Sequence, residues 1–214
     1  CYNNTVIFSE ENTMRRETAG VTESLLESAK DEFLQYGFRD ASMRRISAAS
    51  GVSTNSIYTR FGDKAGLFRA IVQEAADGLM EIYLQSIGKA AEYQNVEQAI
   101  EEGNEGTDIV LKYIYQYKKE FQLIFCHSAG TEYEAYFDKL AAIEEKYYRT
   151  FARQYAENGQ KIDDFFIHVH CRTGWQYVYE ILTHDKTYEE AAAYMKAVRV
   201  FNFAGWRALL GFGS

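Results

Sequence analysis

The nineteen residues from Met43 to Phe61, MRRISAASGVSTNSIYTRF, constrain the fold more than any other stretch of the chain. Two short helical runs meet across Gly51, which supplies the tight turn. Ser42 stands where a side-chain oxygen can cap the first run, and Ser53 where one can cap the second. Ile46 and Val52 are placed to bury between the runs, and Ile57 to point back into a core. Ser47 is small enough for the two helices to pack closely. This is the packing logic of a helix-turn-helix.

The flanking sequence is helical too. The chain has no proline, so nothing of that kind breaks the hydrogen-bond ladder of a long helix. Upstream, Val21, Leu25, Ala29 and Phe33 recur at four-residue steps beside Leu26 and Leu34, and Gly37 ends the helix. Downstream, Gly62 breaks and Asp63 caps a helix from Lys64 to about Ile87. Five further helices are expected over Val96–Tyr117, Lys119–His127, Glu132–Glu157, Asp163–Thr183 and Tyr188–Leu210. Their breaks fall at Gly88, 128–130, Asn158-Gly159 and 184–186. No segment alternates as a strand does, and no internal repeat is visible. The expected class is all-α. Residues 1–14 are polar and aperiodic and read as a flexible arm or a cloning remnant, with Met14 a candidate start. Residues 15–66 form the helix-turn-helix unit and residues 67–214 a second helical domain.

Charge is segregated along the chain. The whole carries −8, from 23 basic and 31 acidic residues, which alone argues against a polyanion partner. Between Arg39 and Arg69, however, Arg39, Arg44, Arg45, Arg60, Lys64 and Arg69 face only Asp40 and Asp63, a net of +4. The remainder therefore carries −12. Cys1, Cys126 and Cys171 are an odd, sparse set and read as reduced thiols of a cytoplasmic protein. No apolar run approaches the roughly 18 residues of a membrane span, and Thr5-Val6-Ile7-Phe8 is too short for a signal core.

The motif continues as Tyr58-x-x-Phe61-x-x-Lys64-x-x-Leu67-Phe68. With Leu25, Ala29, Phe33, Gly37, Phe38, Ser42, Ile46, Ala49, Gly51, Val52, Ser53 and Ile57, this resembles the tetracycline-repressor (TetR) family of bacterial transcription regulators. Ala204-Gly205-Trp206-Arg207 through Phe212 also looks familiar there. Ser47 stands where the family usually has alanine, and Gly62-Asp63 where a proline is common. The resemblance implies three N-terminal helices that bind DNA and a fourth that connects. The remaining helices would form a ligand-binding and dimerisation domain.

The residues themselves agree with a nucleic-acid interface. Ser53, Thr54, Asn55, Thr59 and Arg60 are short or donor-rich side chains at the start and exposed face of the third helix, suited to base edges and phosphates. Asn55 can pair with adenine, or Arg60 with guanine. By resemblance, Tyr58 would place its hydroxyl on a phosphate. Lys64 opens the fourth helix, where its charge and the helix dipole both suit phosphate. Ser42, Arg44 and Arg45 open the second helix and would flank the groove.

The second domain is rich in aromatics, which suits an amphipathic pocket for an aromatic or lipophilic effector. Phe121, Phe125, His127, Tyr147, His170 and Tyr177 are the candidate lining residues. His168 and His170 are two apart on a helix and point in different directions, so no metal or cofactor is expected there. Glu180 and His184 read as a surface pair. Two-fold contacts are expected from Tyr177, Val178, Ile181 and Leu182 on one helix. The other would give Ala193, Ala197, Val200, Phe201, Ala204 and Leu209. A homodimer would present two recognition helices about 34 Å apart to a palindromic double-stranded operator.

The expected function is a ligand-responsive dimeric DNA-binding regulator, a repressor released by a small effector, and not an enzyme. No nucleophile–base pair, phosphate loop or HExxH is present to support the alternative of a small helical enzyme. A scaffold that does not bind DNA is the other alternative, and the basic segment speaks against it.

Overall fold

The computed structural model describes the backbone of residues 4–157 and 159–211, with side chains from residue 20 onward. Among the described residues there are nine helices and no strand. They are α1 (Asn4–Asp40), α2 (Met43–Ser50), α3 (Thr54–Phe61), α4 (Lys64–Ala91) and α5 (Val96–Gln116), followed by α6 (Lys118–Cys126), α7 (Tyr136–Tyr155), α8 (Asp164–Thr183) and α9 (Tyr188–Leu210). The class is all-α. Cys1, Asn158 and Phe212 lie outside the described residues, as do residues 1–3 of the expected arm. From Asn4 onward the described backbone is helical and continuous with α1.

Local chemistry explains the helix starts. Ser42 Oγ accepts from the Arg45 N–H, Ser53 Oγ from the Ser56 N–H, and Asp63 Oδ1 from the Gly66 N–H at 2.7 Å. Thr187 and Glu190 close a reciprocal capping box at the start of α9. Gly37 interrupts α1 at φ 71 and ψ 167, and Gly51 ends α2 in the left-handed region at φ 70. Two expected boundaries move. α4 runs through Gly88 to Ala91, because a solvent-facing glycine weakens a helix without breaking it. α7 begins at Tyr136 and not at Glu132, since hydrogen-bonded turns occupy 131–135.

α4 is the central element. Its buried face (Leu67, Phe68, Ile71, Val72, Ala75, Leu79 among others) packs against α1, α3, α5, α6 and α7. One core runs from Ile46 and Ile57 through Phe33 and Phe68 to Leu140 and Trp175. The boundary expected between residues 66 and 67 therefore falls inside a helix whose packing serves both sides. The rings of Phe33 and Phe68 meet edge to face at 5.2 Å, and truncating either would cost about 3–5 kcal/mol. A second cluster, with Val96, Phe151, Ile167, Cys171, Trp206 and Leu210, closes the far end of α5, α7, α8 and α9.

Close approach fixes one junction. A Cβ at Gly66 would stand 1.9 Å from the Phe61 carbonyl oxygen, so only glycine lets the end of α3 press on the first turn of α4. Val178, Ile181 and Leu182, expected at a subunit interface, are buried within the chain itself at 7%, 3% and 1% exposure. Val178 and Leu182 fill the main core, where α8 packs on α6 and α7, and Ile181 fills a smaller cluster with Leu111, Ala191 and Met195. The α9 residues keep their expected exposure, with Val200 at 67% and Phe201 at 75%.

Candidate functional site

α3 is held from beneath by Ile57, which is fully buried, while Asn55, Tyr58, Thr59 and Arg60 remain exposed. Tyr58 is 47% exposed, and among the described residues its hydroxyl makes no hydrogen bond. Ser53 shares a 2.8 Å hydrogen bond with Ser56 besides capping the helix, and Thr54 is half-buried beside it. The Thr59 hydroxyl donates to the Asn55 carbonyl one turn back. Arg60 reaches α1, donating to Thr22 Oγ1 at 2.8 Å. α3 thus presents a short polar face on a rigid, capped helix.

The basic segment is less free than its charge count suggests. Arg45 lies against Glu32 of α1, stacks over the Tyr36 ring at 4.1 Å and donates to the Asp40 carbonyl. Lys64 donates to the carbonyls of Arg39 and Ala41 at 3.0 and 3.1 Å and sits 4.7 Å over the Phe38 ring. Its charge is spent on the carboxyl end of α1, where the helix dipole favours a cation. Arg39 pairs with Glu134 and Arg69 with Glu132. Arg44, exposed at the start of α2, has no ion pair among the described residues. The expectation that Arg45 and Lys64 stand ready for phosphate is therefore amended. Both are clamps between helices, with donor capacity only partly left over.

Glu32 explains the clamp. It is 9% exposed and accepts from Arg45 and from the Ser42 backbone N–H, tying α1 to the first turn of α2. Burial alone would raise its pKa, but those donors outweigh it and hold the carboxyl below its ordinary value.

The second domain holds a partly open cavity of about 200 Å³ between α4, α5, α7, α8 and α9. Of the six expected lining residues, Tyr147, His170 and Tyr177 line it. Phe121 does not, being fully buried in the main core. Phe125 packs behind the cavity wall, stacked on Trp175 at 6.2 Å. His127 closes α6, and its carbonyl accepts from the Phe38 N–H at 3.0 Å, far from the cavity lining. His168 and His170 have separate partners. His168 Nδ1 lies 2.6 Å from Glu145, and Trp206 Nε1 donates to His170 Nε2 at 3.2 Å. Burial lowers the pKa of His170. Glu180 and His184 form the expected surface pair at 3.4 Å.

Sequence reasoning missed Glu144, Tyr83, Tyr148, Trp175 and Trp206 as cavity residues. Glu144 was legible in principle, because it sits one turn from both Leu140 and Tyr148 on the apolar stripe of α7. An acid on that stripe is a signal that its neighbour Glu145 obscures.

Residues 25–71 match the family described as bacterial regulatory proteins, tetR family. The HTH-type transcriptional repressor AcnR of Corynebacterium glutamicum is 37% identical over 60 residues, which is 28% of this chain and 32% of AcnR. The repressor BepR of Brucella suis biovar 1 is 34% identical over 76 residues, 34% of this chain and 36% of BepR. The matched segments span about a third of the length of these curated relatives. Two solved structures share the fold over most of the chain. PfmR of Thermus thermophilus, a TetR family transcriptional regulator, has a TM-score of 0.52 at 20% identity, over 79% of this chain and 93% of its own. The fatty acid degradation regulator FadR of Bacillus halodurans has a TM-score of 0.54 at 15% identity, over 90% of this chain and 100% of its own. The helix-turn-helix geometry and the family match coincide: residues 25–71, which hold the helix-turn-helix and the first turns of α4, are the ones that match the tetR family of bacterial regulatory proteins.

Proposed function

We propose that the protein is a cytoplasmic, dimeric DNA-binding transcriptional regulator. It acts as a repressor that leaves a palindromic operator when a small effector occupies the second-domain cavity. The observation that carries this reading is the exposed face of α3, where Asn55, Tyr58 and Thr59 project from a helix capped by Ser53 and anchored by Ile57. α3 enters the major groove, Asn55 and Thr59 reach base edges, and Tyr58 and Arg44 hold phosphates. Ser42, Ser53, Thr54, Arg60 and Lys64 complete the interface at its margins. The solvent-facing stripe of α9, with Ala193, Ala197, Val200, Phe201 and Ala204, supplies the two-fold contact, since apolar exposure of this kind marks an interaction surface.

Effector response follows from α4. The helix opens at Lys64, against the end of α1, and carries Tyr83 into the cavity wall. An effector that prefers one placement of α4 biases the spacing of the two recognition helices, by no more than its differential affinity for the two states.

The test is binding to duplex DNA from immediately upstream of the gene and to a random-sequence pool, across a salt series, beside Tyr58→Ala. The reading expects tight wild-type binding that falls steeply with salt and is lost in the variant. Absence of binding to every duplex by both proteins would overturn it in favour of a scaffold.

A further inference from the structure

The cavity holds an acid with no counter-ion. The Oε2 atom of Glu144 is buried and has no hydrogen-bond partner, and the same is true of the Tyr83 hydroxyl and the Trp175 indole nitrogen. Buried polar atoms are nearly always satisfied in a folded protein, so these three, with the likewise unpaired Arg199 Nε on the same lining, mark a place where something else completes them. Tyr83 and Trp175 stand close to the carboxyl without closing a hydrogen bond to it, their rings edge to face at 5.1 Å. On the α8 side lies Gly174, where even an added Cβ would sit 3.6 Å from Oε2, so that neighbour offers no side-chain donor.

No cation of the cavity answers it. Arg199 of α9 lines the space, but its two terminal nitrogens are forked onto Asp108 of α5, its Nε is unpaired, and it is not among the groups that act on Glu144. His170 of α8 accepts from Trp206 through Nε2, and burial disfavours its charged form. Cys171 of α8 and Tyr148 of α7 face the carboxyl as further acids, each pushed up by burial. Glu145, the next residue along, already has Arg149 and His168. The lining, meanwhile, is rich in aromatic rings. Tyr148 and Trp206 stack at 4.9 Å and 9°, with the His170 ring edge-on to both. Aromatic faces attract cations, most strongly when water is excluded.

We infer that the cavity takes a flat, lipophilic aromatic cation, with the Glu144 carboxylate as its counter-ion and the rings of Tyr148, Trp175 and Trp206 as its walls. An anionic ligand placed against Glu144 would meet the acid instead of a partner. This deepens the effector reading above, but the binding step stands independently of DNA. Burial pushes Glu144 up to about 8, with Trp175 and Tyr83 drawing it back only in part. The empty cavity therefore holds mostly the neutral acid at pH 7, and a cation entering it displaces about one proton.

The experiment is calorimetric titration of the full-length protein, without DNA, with N-methylquinolinium and with its uncharged isostere 1-methylnaphthalene. Each is run in two buffers of different ionisation enthalpy, on wild type and Glu144→Gln. The expected result is that wild type prefers the cation by at least about tenfold and releases a proton on binding it. Glu144→Gln should lose that preference and the proton release while binding the isostere as before. Equal affinity of wild type for the two compounds, undiminished cation binding by the variant, or no binding of either compound to wild type would each overturn the inference. Cation binding by a protein that never engages DNA would leave the inference standing and defeat the regulator reading, so the two failures are distinct.

Discussion

Glu32 on α1 grips Arg45 on α2, with Oε1 2.8 Å from the guanidinium Nε, and the same oxygen accepts the Ser42 N–H at 2.8 Å. One buried carboxylate thus sets the angle at which the helix-turn-helix leaves the long first helix. Glu32→Ala should lower stability by about 1–3 kcal/mol in urea unfolding, the scale of hydrogen bonds to a charged group. Its pKa is held below the ordinary 4.5, so its contribution is present above that pH and is lost as pH falls through the depressed value. Glu32→Gln should accordingly flatten the acid limb of the stability curve.

Three glycines of the same fold should respond in opposite directions to alanine. Gly66→Ala drives a methyl group into the Phe61 carbonyl and should cost about 1–3 kcal/mol. Gly51→Ala forces an L side chain into φ 70 and should cost about 1 kcal/mol. Gly88→Ala meets nothing within 4 Å on the exposed side of α4 and should add about 0.5–1 kcal/mol. Thermal unfolding of the three variants checks the order.

Glu144 should make the empty protein less stable toward alkaline pH. A folded-state value of about 8 against an ordinary 4.5 means the folded chain binds the extra proton between those limits. Stability is therefore undiminished below about 4.5 and declines as pH rises through 8, by up to about 5 kcal/mol. Glu144→Gln should remove this decline and unfold at a higher temperature than wild type at pH 8. A parallel pH profile in the two proteins would contradict the burial of an unpartnered acid.

Arg44 and Lys64, both basic and both near the proposed DNA surface, should behave differently. Arg44→Ala should leave stability unchanged and reduce the slope of log affinity against log salt by about one. Lys64→Ala should lower stability first, because its ammonium holds the Arg39 and Ala41 carbonyls. Asn55→Ala should relax sequence preference more than affinity. A salt series with paired unfolding curves separates these effects.

Phe201→Glu should convert a dimer to monomer in sedimentation velocity while leaving each protomer folded, because the ring is 75% exposed on the single chain. DNA affinity should fall with it, since the two half-sites would then be bound separately.

The all-α class, the order of the helices, the caps at Ser42, Ser53 and Asp63 and the turn at Gly51 were legible in the sequence. Each depends on residues within a turn or two of one another, and local sterics and hydrogen bonding settle them. The exposed polar face of α3 was legible for the same reason: with Ile57 inward, Asn55, Tyr58 and Thr59 face out. What the sequence could not contain is which distant helix meets each side chain. Arg45 and Lys64 look like free cations until α1 brings up Glu32 and the carbonyls of Arg39 and Ala41. Phe121 and Phe125 look as suited to a cavity as Tyr147 and Tyr177 until α6 is seen to pack into the core while α7 and α8 contribute to the cavity lining. Glu144 does not stand out in the sequence, and only the approach of Tyr83 on α4 and Trp175 on α8 buries its carboxyl. Desolvation and pairing are set by contacts between residues tens of positions apart, so tertiary packing alone decided which of the polar groups are clamps, which stay free, and which one waits for a partner.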